Sequence, residues 1–255
     1  MSSSDATTQE SNKRNRKTIL LLLALALALV VGGTLAYLST TTNTKGNVFT
    51  ADSASASISA SLFETAWDGS TISNTDPASD VDSNDSYGIN IAKKMLPGTV
   101  APKNPVIGNT SAAGGESEYV AMRVKFYKSD SSGSFTEMSL DETNSLLEKL
   151  AVYDGSTLPS TGGITQDSNW VADSGNSTSA VKYFYYNTSI AANGGTTSAL
   201  FDNVGIVSSA DSTYMTWLTT NCPKGYKIEV DGAAVQASGF SDYTAAEETL
   251  KGLFS

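Results

Sequence analysis

Tyr119-Val120-Ala121-Met122-Arg123-Val124-Lys125-Phe126 is the stretch that decides the fold. Val120, Met122, Val124 and Phe126 fall on one side of a two-residue period, with Ala121, Arg123 and Lys125 on the other. That is the pattern of a strand with one face on a core and one toward water. Period two recurs upstream in Ala54–Phe63, where Ile58, Ala60 and Leu62 alternate with small polar residues, and downstream in Tyr226–Ala237, through Ile228, Val230 and Val235. Val181–Tyr186 carries four aromatics on both faces, as a strand buried between layers does. Asn193-Gly194-Gly195 turns the chain into a further strand over Ala199–Val207.

Helical signals are fewer. Asp141–Tyr153 sets Leu146, Leu147, Leu150 and Ala151 at helical spacing behind an acidic start, predicting one amphipathic helix. Tyr214–Leu218 fits a helical turn, and Ser241 or Asp242 caps a last helix running to Leu253. Pro97-Gly98 and the prolines at 102 and 105 impose turns around a short extended piece. Residues 68–88 are rich in Asp, Ser and Asn and read as a long insertion outside the core. Many short strands with one to three short helices predict a mainly β chain folded as an antiparallel sandwich.

The 255 residues, 40% of them hydrophobic, are enough for a buried core. There is no His, which removes Ser-His-Asp triads, Cys-His proteases and imidazole-bound zinc. The single Cys, Cys222, forbids an intrachain disulfide and reads as a small buried side chain. No cofactor and no catalytic residue are expected.

The N-terminus has the layout of an export signal. Lys13, Arg14, Arg16 and Lys17 precede an apolar run from Thr18 to Val31, and Gly32-Gly33 breaks it before Thr34-Leu35-Ala36. The run is shorter than the roughly 20 residues of a membrane span, so residues 1–36 are assigned as a signal helix cleaved between Ala36 and Tyr37. The alternative is an uncleaved anchor, extended through Tyr37 and Leu38, and only in that form would the chain contact a membrane. Removing residues 1–36 takes away four basic and two acidic residues and leaves 12 against 24, a net charge of −12. Such a surface repels nucleic acid.

Several segments, in order, resemble a known pattern. Gly32-Gly33-Thr34-Leu35-Ala36-Tyr37-Leu38-Ser39 with Asn47-Val48-Phe49-Thr50-Ala51 is similar to the export signal and mature start of Gram-positive proteins processed by a SipW-type signal peptidase, the TasA/camelysin (CalY) family. Leu96-Pro97-Gly98 through Pro105-Val106 to Asn109-Thr110 and Tyr119-Val120-Ala121 extends the match, as do Trp170, Tyr183-Phe184-Tyr185-Tyr186, Gly194-Gly195-Thr196-Thr197, Leu200-Phe201 and Ala234-Val235-Gln236-Ala237. The resemblance implies a jelly-roll β-sandwich over residues 53–255, export to the cell surface or biofilm matrix, and polymerisation into fibres. It also implies a dedicated signal peptidase and self-association, or association with other envelope proteins. In the family's strand-exchange mode, residues 37–52 are donated to a neighbour, with Val48 and Phe49 in the donated strand. Their Thr-rich, Pro-free composition suits an added edge strand. The alternative is that this segment is the first strand of its own sandwich, or a leader. The 68–88 insertion and the long leader depart from the family pattern. Camelysin relatives carry a metalloprotease label, but a chain without His has no zinc-protease motif, and the activity is not carried over.

Other motifs have bland readings. Leu158-Pro159-Ser160-Thr161-Gly162 fits a sortase signal, but about 90 residues follow it with no apolar span and basic tail, so it reads as a loop. Asp173-Ser174-Gly175 reads as turn chemistry, since one aspartate lacks the partner that an acid protease needs. Ser179 and Lys182 diverge if their segment is a strand. Asp80, Asp82 and Asn84 alternate as calcium ligands do, but Asp85 stands where a loop glycine is needed and Ile91 where a bidentate Glu is. Asp80 and Asp82 remain the weak metal candidates. The aromatics at 183–186 are a core strand or, alternatively, a sugar platform.

The leading expectation is a secreted, non-enzymatic envelope or matrix protein. The rivals are an adhesin-like module binding glycan or host protein through loops, and a secreted hydrolase or protease built on carboxylates.

Overall fold

The strand read from Tyr119–Phe126 is longer than its sequence signal and forms the spine of the molecule. In the computed structural model, which describes residues 49–53 and 56–254 and the side chains from Ile58 onward, it runs from Glu118 to Ser129 as β5. Preceding it are β1 (Phe49–Ser53), β2 (Ala56–Phe63), β3 (Val100–Pro102) and β4 (Val106–Asn109). Following it are β6 (Phe135–Glu137), β7 (Leu150–Tyr153), β8 (Gly163–Thr165), β9 (Trp170–Ala172), β10 (Lys182–Tyr186), β11 (Asn203–Ile206) and β12 (Tyr226–Gln236). Residues 1–36, with the assigned signal helix and the Ala36–Tyr37 cleavage site, and Val48 of the donor segment lie outside the described residues.

Among the described residues the strands form three sheets. β12, β5, β10 and β9 lie side by side, with β6 paired to the end of β5; β1, β2 and β4 form a second sheet, and β3, β11, β7 and β8 a third. The pairings are antiparallel except β7 with β8. β12 follows β5 from Glu118↔Gln236 to Lys128↔Tyr226. The fold is therefore mainly β, with antiparallel sheets and a few short helices.

The alternation of β5 sorts the two sides of its sheet. Val120, Met122, Val124 and Phe126 enter the main core with Leu62 of β2, Ile107 of β4, Val152 of β7 and Ile206 of β11, so both other sheets pack on that face. Gly232 of β12 lets them come close, because a Cβ there would sit 3.1 Å from Ile107. On the opposite face Ala121, Tyr185, Ala233 and Val235 meet Ala246, Leu250 and Phe254 near the C-terminus.

The helices correct the sequence reading in two ways. The helix expected over Asp141–Tyr153 stops early: α3 is Leu140–Leu147, and Leu150–Tyr153 is a strand buried at all four positions. An unbroken apolar run carries no period to tell helix from strand. Two single-turn helices, α1 (Thr65–Asp68) and α2 (Gly88–Ile91), flank the acidic insertion, so the described residues hold five α-helices and not one to three. Four-residue turns are too short to show a period. The other two follow expectation: α4 spans Ser212–Asn221 with Asp211 as its cap, and α5 spans Tyr243–Gly252, where Asp242 accepts from the Ala245 N–H. Among the described residues no helix is long and apolar enough to cross a membrane.

Candidate functional site

The N-terminal hairpin is the feature that the donor-segment expectation singles out. Among the described residues β1 lies at the edge of its sheet and pairs with β2 alone, from Phe49↔Ala60 through Thr50↔Ser59 to Ser53↔Ala56. Phe49 thus opens a strand paired within its own chain, as the first-strand alternative has it, and the 52/53 boundary drawn from sequence falls inside that strand. β2 is held from both faces. Ile58, Ala60 and Leu62 are buried, and on the outer side Ile72 of the acidic insertion lies over Gly108 of β4.

Beyond the end of β4 the backbone of Ser59 is fixed by polar groups. Its carbonyl accepts from the Thr110 N–H at 2.6 Å, and its N–H is shared between Ser111 Oγ and Glu118 Oε1, each at 2.9 Å. Ser111 Oγ also donates to Glu118 Oε1 at 3.3 Å. Asn109, buried beside them, accepts from the Ser111 N–H and donates to the carbonyls of Glu116 and Ile190. The backbone of Glu118 exchanges two hydrogen bonds with Ile190, at 2.9 and 2.8 Å. Glu118 is fully buried, its Oε2 has no hydrogen-bond partner, and burial pushes its carboxyl up to about 7 against the pull of the Ser59 and Ser111 donors. One carboxyl group therefore ties β2 to the β5 sheet.

A second buried polar joint holds the start of the insertion. Lys103 Nζ donates to both carboxylate oxygens of Glu64 at 2.8 Å, with the Trp67 ring 4.5 Å from the ammonium. Asp68, buried, accepts from the N–H and hydroxyl of Ser70. The insertion itself is built from side-chain-to-backbone turns, Asn84 accepting from the Ser86 N–H and Asn90 donating to the Asn84 carbonyl at 2.9 Å.

The remaining candidates take structural places. Asp80 and Asp82 are exposed, and no group of three His, Cys, Asp or Glu side chains suited to a metal occurs among the described residues. Leu158 of the sortase-like stretch packs against Gly205, where a Cβ would sit 2.6 Å from it, and Gly162 is pressed against the Leu147 carbonyl. That loop is folded into the surface. Asp173 accepts from the Gly175 N–H, the Tyr185 hydroxyl and Lys251 Nζ; burial opposes its charge, but these donors outweigh burial and hold the carboxyl below its usual value. Lys182 Nζ donates to the carbonyls of Asn176 and Ser179, while the Ser179 hydroxyl accepts from the Val181 N–H. No activated serine results. Phe184 and Tyr185 are buried on opposite faces of β10, which makes this aromatic run core. Burial raises the Cys222 thiol to about 11, the range of an inert side chain.

Sequence reasoning missed both joints. Glu118 with Ser59 and Glu64 with Lys103 join residues 59 and 39 positions apart, and only an acidic residue opening an alternating strand hinted at the first. Compared with family models, curated proteins and solved structures, the chain matches none.

Proposed function

We propose that the chain is exported, loses residues 1–36 after Ala36, and serves as a non-enzymatic structural protein of the cell envelope or biofilm matrix. Its jelly-roll-like sandwich assembles into fibres by donating the segment around Val48 and Phe49 to the β2 of a neighbour, Phe49–Ser53 leaving its own β2 to do so. The observation that supports this reading is the position of β1: among the described residues it is an edge strand at the start of the fold, paired with β2 alone. Replacing a strand within the chain by the same strand from a neighbour conserves every ladder hydrogen bond, so exchange is limited by opening and not by lost contacts.

The test is assembly of the mature protein with and without residues 37–52. Fibres are expected from the intact mature chain. The shortened chain is expected to stay unassembled and to bind a synthetic 37–53 peptide in place of its missing strand. Fibres of equal yield from the shortened chain contradict the proposal.

A further inference from the structure

Glu118 sits where four parts of the chain meet: β2 through Ser59, the β4–β5 connection through Ser111, β5 itself, and the segment after β10 through Ile190. Only one of its carboxyl oxygens is used. Oε1 takes the Ser59 N–H and the Ser111 hydroxyl, and Oε2 is buried with no partner. A neutral carboxyl costs less in such a site than a carboxylate does, because it brings no net charge out of water, though its proton on Oε2 meets no acceptor there. A carboxylate there carries its charge on two oxygens away from water, and one of them has no donor, so ionisation draws water toward the joint.

We propose that Glu118 is a proton-dependent latch between β2 and β5, closed when its carboxyl is neutral and loosened when it ionises. The groups facing it are Ser59 from β2, Asn109 and Ser111 with Glu116 from the β4–β5 connection, Gln236 opposite it on β12, and Ile190. Glu116 is the one ionisable group in that set, and it enters the joint through its backbone carbonyl, which accepts from Asn109. Burial alone sets the direction, raising the carboxyl from 4.5 to about 7. The latch therefore switches near neutrality, where carboxylates otherwise stay charged. It acts within one chain, whether or not the chain assembles.

The linkage has a definite sign. An acid whose folded value is raised binds its proton more tightly when folded, so its contribution is most favourable below 4.5, falls as pH rises to about 7, and is flat above. The full change is about 300-fold in the ratio of folded to unfolded chains, which is about 3 kcal/mol at 1.36 kcal/mol per pH unit.

The experiment is an NMR titration of the mature protein labelled with 13C at glutamate carboxyls and 15N at amides, joined to thermal unfolding of the wild type and Glu118→Gln from pH 4 to 9. One glutamate carboxyl, absent from the Gln variant, is expected to titrate near 7, and the Ser59 amide to shift with the same midpoint. Wild-type stability relative to the variant is expected to fall between pH 4.5 and 7. A Glu118 midpoint in the ordinary range of 4 to 5, or a Ser59 amide that ignores it, overturns the latch, as does a fall of equal size in the variant. If the variant does not fold, assignment of the Glu118 carboxyl through its own backbone lets the two wild-type midpoints decide. Fibre formation is not part of this readout, so its failure and that of the strand-exchange reading are told apart.

Discussion

Lys103 and Glu64 form a buried ion pair, with the ammonium 2.8 Å from both carboxylate oxygens and both side chains almost wholly out of water. The pair joins the end of β2 to the segment after β3, and Trp67 lies over the ammonium. Such a pair contributes little net stability over an apolar pair of similar volume, yet losing one member strands a buried charge. Lys103→Met is expected to cost about 3–5 kcal/mol in urea unfolding. The double variant Lys103→Met with Glu64→Met is expected to recover most of that loss. A double variant as unstable as the single one contradicts the pairing.

Gly88 opens α2 with no room for a side chain. A Cβ there would lie 1.8 Å from the Pro102 carbonyl oxygen, a backbone atom that cannot swing aside. Gly88→Ala is expected to destabilise by about 1–3 kcal/mol, as overpacked sites do. Gly133 has open space around its Cβ position but φ +92°, so alanine there is strained without being crowded. A smaller loss from Gly133→Ala than from Gly88→Ala, read by thermal melts, checks the difference.

Asp173 anchors the last helix through Lys251 and β10 through Tyr185. Asp173→Ala is expected to cost about 1–2 kcal/mol, because these are hydrogen bonds to a charged acceptor that is only partly screened. Hydrogen exchange should quicken in α5 more than in β5. Since the folded carboxyl lies below its ordinary value, its contribution is present above that ordinary value and is lost as the pH falls through the folded one. The acid unfolding limb should accordingly shrink in the variant.

Cys222 is buried beside the end of α4 with its thiol raised to about 11. Thiol reagents at pH 8 are expected to label the native chain at the rate of its opening, and the urea-unfolded chain at least a hundredfold faster. Rapid labelling of the native chain contradicts the burial.

How much of this was legible in the sequence depended on where each signal lay. β5 and β12 were readable because Arg123, Lys125, Glu229 and Asp231 interleave with apolar residues and keep period two. The cap of α5 was readable because Asp242 announces a helix start locally, whereas the Ser139–Glu142 capping box of α3 went unread and only the acidic start at Asp141 marked that helix. β7 was not, since Leu150–Tyr153 is apolar throughout and follows a helix by two residues. Both strands of the hairpin were suggested by composition and period, but their pairing was not, and the joint behind them was invisible: Ser59, Ser111 and Glu118 are ordinary polar residues until the fold brings them to one place. The acidic insertion looked like solvated loop because its order comes from Asn and Ser turns and from scattered close contacts, such as Ile72 on Gly108 and Ala78 and Tyr87 on Gly69.

The strand-exchange proposal is tested most directly by locking β1 to its own β2. Thr50 and Ser59 face each other across that ladder, and both the N–H and the carbonyl of Ser59 are turned away toward Thr110, Ser111 and Glu118. They are therefore a non-hydrogen-bonded pair, close enough for a disulfide. In a Cys222→Ala background, Thr50→Cys with Ser59→Cys is expected to abolish fibre growth when oxidised and to restore it on reduction, followed by light scattering and electron microscopy. Fibres growing at the same rate from the oxidised and reduced chains would contradict exchange of this strand.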